Sequence, residues 1–417
     1  LLLSQKLWTI NARMKTLQYR TRQLLVSVSV FILAASLLPS ILSRVSLVTR
    51  HFSTRTSTTM SASTAYAHEL QVALLAVQRA SILTKNVFHT TSKGTVSKSD
   101  ASPVTVGDFG AQALIIAALK HNFPSDEIVA EEEASDLRTN TALRDQIWDY
   151  VKQTKLNDAD AERTLGGSIE NVDKMLDTID QGNSPGGRKG RIWAIDPIDG
   201  TKGFLRGGQY AVCLALMVDG KVKVGVLGCP NLPVDDNARI DASIGKDQTD
   251  DEGKGVLFSA VEGQGAYSRP LTTGALAQSR PIKMKPLEDL SQAAFCESVE
   301  AGHSNQGDQA EIAKRLGIVQ PSVRMDSQAK YASIARGAGD IYLRLPAKKG
   351  YQEKIWDHAA GTLIVAEAGG KVTDSTGKEH DFGIGRTLGE NRGFVAAPKD
   401  VHAKLLQVVQ EVLSSSS

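Results

Sequence analysis

A continuous apolar run, Ile192-Trp193-Ala194-Ile195, leads directly into Asp196-Pro197-Ile198-Asp199-Gly200-Thr201. Unbroken apolar residues of this kind predict a strand covered on both faces, so the chain must supply a layer on each side of its sheet. Two carboxylates then follow three residues apart. Pro197 stiffens the path between them, and Gly200 permits a tight turn beyond. If a helix follows, the free N–H groups at its start can receive a phosphate. Hard divalent cations such as Mg²⁺ want oxygen ligands in octahedral arrangement. Asp196, Asp199 and the intervening Ile198 carbonyl meet that demand, although the segment taken alone also fits a capped turn.

The surrounding pattern is mixed. Leu70, Ala73, Leu74, Val77, Ala80 and Leu83 recur at helical spacing, and a second helix is predicted over Gly107–His121, stopped before Pro124. Ile128–Ala130 reads as a short strand, and 136–190 as helix pieces with a long Gly-rich loop. Asp219-Gly220 between Tyr210–Val218 and Lys221–Leu227 signals a β-hairpin. A second hairpin is predicted around Glu262-Gly263. After Pro281 strands alternate with helices, notably Asp357–Ala368 ended by Gly369-Gly370, and Lys404–Leu413 supplies a last helix. The body thus reads as α+β followed by α/β, with domains 61–285 and 286–417.

Further carboxylates stand at predicted element ends. Glu131 and Glu132 follow the strand Ile128–Ala130, where a site in an α/β sheet is expected. Asp108 and Asp357 each stand at a predicted helix start, where an N-cap role is the alternative. So many carboxylates brought together without cations would repel, which makes metal ions the natural counter-charge.

Charge elsewhere is divided unevenly. The chain has 417 residues and a formal net charge of +2, yet its first 68 residues carry eight basic side chains and no acid. The remaining 349 hold 40 basic and 46 acidic side chains. A mildly acidic body argues against a nucleic-acid-binding surface. Residues 1–60 read as a leader: an organellar transit peptide, an untranslated stretch, or a membrane anchor built on the uncharged Leu24–Leu42. The expected location is cytoplasmic, or mitochondrial if the leader is a transit peptide, with no stable membrane association. Cys213, Cys229 and Cys296 form no metal or disulfide spacing and are expected in the core.

Taken together, Asp108 in VGDFGAQ, Glu131-Glu132 in VAEEEAS, DPIDGT at 196–201 and WDHAAG at 356–361 before AEAGG at 366–370 resemble the inositol monophosphatase superfamily. These are Mg²⁺-dependent, lithium-sensitive phosphomonoesterases. The similarity runs from about residue 64 to 413 in matching order. The longer strings DSQAKY (326–331), YLRLP (342–346) and YQEKIWDHAAG (351–361) look like the 3′(2′),5′-bisphosphate nucleotidases. Those enzymes release the 3′-phosphate of adenosine 3′,5′-bisphosphate (PAP) as they form AMP, and many act on PAPS.

The resemblance implies a layered αβαβα sandwich and a monomeric enzyme supporting sulfate assimilation and salt tolerance. It makes Glu131, Asp196, Asp199, Asp357 and the Ile198 carbonyl ligands of two or three Mg²⁺ ions, with inhibition by Li⁺ and Na⁺. Asp108 and Thr201 would orient and deprotonate the attacking water. Asp199, Gly200, Thr201, His303, Ser327, Lys330 and Arg344 would bind the nucleotide, the last two suiting its second phosphate. Two departures stand out: Ala130 replaces the usual Gly before the Glu pair, and Glu133 the usual Ser after it. The rival readings are an inositol (poly)phosphate 1-phosphatase with the same metal core, a non-catalytic nucleotide sensor, and a membrane-anchored binding protein.

Overall fold

The central strands of the larger sheet carry apolar side chains on both faces, and both faces are covered. This computed structural model describes residues 65–92, 103–238, 240, 253–300, 302, 304–346 and 350–415. Seven strands form one sheet in chain order: β1 (Glu127–Ala130), β2 (Arg191–Asp199), β3 (Ala211–Val218), β4 (Lys221–Pro233), β5 (Lys254–Val261), β6 (Ala266–Pro270) and β7 (Arg280–Ile282). The pair β1–β2 is parallel and the remaining pairs are antiparallel.

On one face Trp193, Ile195, Leu214 and Val226 pack against α1 (Ala67–Ser92) and α2 (Pro103–Asn122). Their alternates Ile192, Ala194, Cys213, Ala215 and Leu227 pack on the other face against α9 (Ala329–Ala335) and α10 (Ala359–Glu367). Between α2 and β2 lie α3 (Ser135–Thr139), α4 (Thr141–Gln153), α5 (Ala159–Thr164) and α6 (Val172–Ile179), and α7 (Thr201–Arg206) follows β2. Burial on both sides is the physical reason for the unbroken apolar run in β2.

A second sheet repeats the alternation. Strands β10 (Tyr342–Arg344), β12 (Phe394–Pro398) and β11 (Gly370–Thr373) pair antiparallel, while β8 (Cys296–Glu297) and β9 (Val323–Arg324) form a two-stranded parallel ladder. Tyr342, Phe394 and Ala396 face α9 and α10. Leu343, Val395 and Ala397 face α8 (Gln306–Leu316) and α11 (Lys399–Ser415). The stacking is therefore helix, sheet, helix, sheet, helix, the αβαβα sandwich expected.

Local chemistry explains the joints. Asp219 and Gly220 have φ of 50° and 77°, both in the left-handed region that a two-residue hairpin turn requires. All three cysteines are buried and free. Several boundaries differ from expectation. The strand foreseen to stop at Ile195 continues to Asp199, with a register shift between Asp196 and Asp199 against β3. Pairing is sustained across a bulge, a device that re-aims side chains beside active sites. Asp108 does not begin a helix, because α2 starts five residues earlier. Asp357 also lies outside its helix: His358 occupies the cap position and α10 starts at Ala359. No helix among the described residues is long and apolar enough to cross a membrane. The leader, including Leu24–Leu42, lies outside the described residues.

Candidate active site

Three structural pieces deliver carboxylates to one cleft. The end of β1 presents Glu131, the bulged end of β2 presents Asp196 and Asp199, and the turn before α10 presents Asp357. These residues line a cavity of about 1810 Å³ together with Ile198, Gly200, Thr201, Ser327, Lys330 and Arg344. Asp108 sits behind this wall on α2, nearly fully buried. The Ile198 side chain plugs against α2, and a Cβ at Gly107 would meet its Cδ1 at 2.5 Å. Glycine at 107 thus lets the strand end approach the helix that carries Asp108.

Gly200 has φ of 88°, and a Cβ there would meet that of Ser327 at 2.9 Å. Ser327 itself adopts φ of 70°, a strained conformation for a residue other than glycine. Its Oγ accepts the Ala329 N–H, and the next residue donates its backbone N–H to Asp199 Oδ2 at 2.5 Å.

Burial and mutual repulsion dominate the electrostatics of the floor. Asp196 is pushed well above the usual carboxylate range by burial, then by Glu131, Asp199, Asp357 and Asp108. Burial likewise raises Asp108, helped by Glu132 and Glu131, and raises Asp357, helped by Asp199. Glu131 rises to about 7 through burial and the charges of Glu132 and Asp199. Asp199 reaches only about 6, because Lys330, the Gln328 N–H and Arg344 offset its burial. Asp196 Oδ1 is buried with no hydrogen-bond partner among the described residues. An all-oxygen set of carboxylates in need of counter-charge, one with an orphaned oxygen, fits hard divalent cations.

The opposite wall is internally paired. Arg344 Nε donates to Glu353 Oε1 at 2.7 Å. Glu353 Oε2 accepts from His358 Nε2 at 3.3 Å, which leaves His358 Nδ1 to accept from the Tyr331 hydroxyl at 2.9 Å. Burial lowers His358 to about 3, so the imidazole is neutral at pH 7. Burial alone would raise Glu353; its bonds to His358 and Arg344 hold it at about 2. The His358 ring also stacks on Phe394, with centroids 3.7 Å apart.

The inositol monophosphatase family profile matches residues 64–414. The chain belongs to this family. A 3′(2′),5′-bisphosphate nucleotidase of Emericella nidulans is 65% identical over 348 residues, covering 84% of this chain and 99% of that protein. One of Schizosaccharomyces pombe is 49% identical over 351 residues, covering 83% and 96%. Among solved structures, an inositol monophosphatase of Zymomonas mobilis has a TM-score of 0.51 at 17% identity, covering 83% of this chain and 99% of its own. The Thermotoga maritima IMPase has a TM-score of 0.50 at 20% identity, covering 84% and 99%. These likenesses carry the inositol monophosphatase fold.

Within this inositol monophosphatase fold the residues singled out from sequence line one cleft, apart from Asp108, which sits behind its wall, and His303, which lies outside the described residues. Lys330 is buried in α9, its Nζ 3.5 Å from the Met325 carbonyl and 5.3 Å from the Tyr342 ring centroid. Ala130 causes no backbone strain, since positive φ among non-glycine described residues is confined to Tyr66, Asp219 and Ser327. Its methyl fits because residue 182 is glycine; a Cβ there would stand 2.6 Å from that of Ala130. Glu133 is exposed and acts on the Arg386 guanidinium.

Four supporting residues escaped the sequence reading. Arg386 donates to the Ala130 and Ser184 carbonyls at 2.6 and 3.0 Å and lies over the Trp356 ring at 4.9 Å. It thereby ties the segment before Glu131 to the segment before Asp357. Gln112 holds the backbone of Glu132 from both sides, accepting its N–H at 3.0 Å and donating to its carbonyl at 2.7 Å. Gln328 and Glu353 lie inside strings that the resemblance quotes, yet neither residue type signals its partners, which are Trp356 and Gly361 for Gln328 and the nearby Arg344 and His358 for Glu353.

Proposed function

We propose that this chain is a Mg²⁺-dependent 3′(2′),5′-bisphosphate nucleotidase that hydrolyses the 3′-phosphate of PAP to give AMP and phosphate, and PAPS to give APS. The observation that carries the reading is one cleft with a carboxylate floor and a wall bearing Lys330 and Arg344. The nucleotidase relatives, aligned over nearly their whole lengths, direct the choice of substrate. Phosphate release on this reading serves sulfate assimilation.

Glu131, Asp196, Asp199, Asp357 and the Ile198 carbonyl would hold two or three Mg²⁺ ions. Bound there, such ions supply positive charge to phosphate oxygens and lower the pKa of a coordinated water. Asp108 is suited to accept the proton of the attacking water: it is buried behind the carboxylate floor, and cations bound at that floor would hold it ionised. Thr201, first in its helix and exposed to the cleft, orients that water. Ser327, Gly200 and His303 seat the nucleoside. Arg344 stays charged because the Glu353 carboxylate bonded to it offsets its burial, and its planar fork suits the non-reacting phosphate.

An inositol (poly)phosphate 1-phosphatase would share the same floor. Phosphate release from PAP and from inositol 1-phosphate, compared with Mg²⁺ present, separates the two. Turnover of PAP in clear preference is the expected result; no turnover of PAP would sink the proposal. Li⁺ added to the PAP reaction is expected to inhibit it.

A further inference from the structure

The turn that carries Asp357 lacks a cap of its own. His358 occupies the cap position of α10 with no side-chain bond to the helix. An N-cap oxygen ordinarily accepts the N–H of the second or third helical residue. Here the third residue is Gly361, and its N–H donates at 2.9 Å to the side-chain oxygen of Gln328, 33 residues away. The nitrogen of the same amide donates at 2.7 Å to the carbonyl of Trp356, the residue before Asp357. The backbone N–H of Gln328 donates to Asp199 Oδ2. One buried residue thus grips Asp357 from both sides and Asp199 directly.

Close helix approach makes this grip reachable. A Cβ at Gly361 would meet the Tyr331 ring at 2.3 Å, so glycine there lets α10 come up against α9. The left-handed Ser327 immediately before turns the Gln328 N–H toward Asp199. The residue type is demanded as well. A donor and an acceptor are needed at the end of a side chain of this length; Glu lacks the donor, and Asn is a methylene short.

Asp199 and Asp357 line the same cavity as two carboxylates, and like charges held that near repel one another. Left unheld, they would move apart whenever no cation lies between them. We infer that Gln328 is the positioning residue that fixes the separation of Asp199 and Asp357, and through it the affinity of the Mg²⁺ site they share. The inference rests on the reading that these two carboxylates bind metal.

The test is calorimetric titration of Mg²⁺ alone into the full chain and into Gln328→Met and Gln328→Ala. Gln328→Met keeps the length and packing of the buried side chain but makes neither bond and adds no charge, so it covers the case in which Gln328→Ala fails to fold. Both are expected to bind Mg²⁺ about 10- to 100-fold more weakly, the usual effect of removing an outer-shell partner. Activity toward PAP should recover in part as Mg²⁺ is raised. Leu405→Ala, in the distant core packed on α11, supplies a control for lost stability and should bind Mg²⁺ as the wild type does. Wild-type affinity in both Gln328 variants, with melting temperatures lowered as in Leu405→Ala, would overturn the inference and leave the metal reading standing. Failure of the unaltered chain to bind Mg²⁺ would overturn the metal reading as well.

Discussion

The two walls of the cleft handle buried charge in opposite ways. On the floor, Asp108, Glu131, Asp196, Asp199 and Asp357 crowd together, and all are shifted toward their protonated forms. On the facing wall, Glu353 balances Arg344 and is itself oriented by His358 and Tyr331. Like charges held close by the fold create a demand for external cations. A cation already paired and braced keeps its charge and its direction, ready for an anion. The floor is built to be completed; the wall is complete already.

The sharpest way to break this contrast is to remove one floor carboxylate. Asp199→Ala is expected to lose PAP hydrolysis by orders of magnitude while far-UV circular dichroism stays native. Near-normal hydrolysis would refute the metal assignment. On the wall, Glu353→Gln strands Arg344, and losing one partner of a largely buried pair costs about 3 kcal/mol of stability. Urea unfolding measures that loss, and the KM for PAP should rise because Arg344 is no longer braced.

Proton linkage sharpens the contrast further. In metal-free protein the raised Glu131 favours the folded state when protonated. Its contribution is therefore complete below its ordinary value of 4.5 and is lost as pH rises through about 7. Glu353 runs the other way. Its contribution is present above 4.5 and is lost as pH falls toward about 2. Thermal melts without metal should accordingly weaken from pH 5 to pH 8, and saturating Mg²⁺ should abolish that decline. A decline unaffected by Mg²⁺ would mean that the floor carboxylates are not its source. The smallest effect is expected at Glu133→Ser, an exposed residue that faces Arg386 rather than the floor. Stability should change by less than about 0.5 kcal/mol, with Mg²⁺ affinity within about twofold. A larger loss of affinity would place Glu133 among the metal-binding groups.

Much of this was legible because the signals are local. The apolar run at 192–195, the Asp219-Gly220 turn and the helical spacing from Leu70 to Leu83 each report a short-range preference, and each element formed. The motif strings DPIDGT and WDHAAG carry Asp196, Asp199 and Asp357, which line one cavity. Element ends were less legible. The bulge that carries β2 on to Asp199 and the early start of α2 depend on neighbours across the sheet and on the helix packed against it.

The sequence by itself determined the layered architecture, the carboxylate inventory and the family, because periodicity, residue type and motif order are properties of the chain read in line. Only the tertiary structure decided how those groups are held. The amide of Gln328 at α10, the clasp of Arg386 on Ala130 and Trp356, and the Tyr331 hydroxyl on His358 all join residues that the linear pattern leaves unrelated. Hydrogen bonds across tens or hundreds of residues depend on where folding brings a donor within about 3 Å of an acceptor, and nothing in a short stretch of sequence encodes that distance.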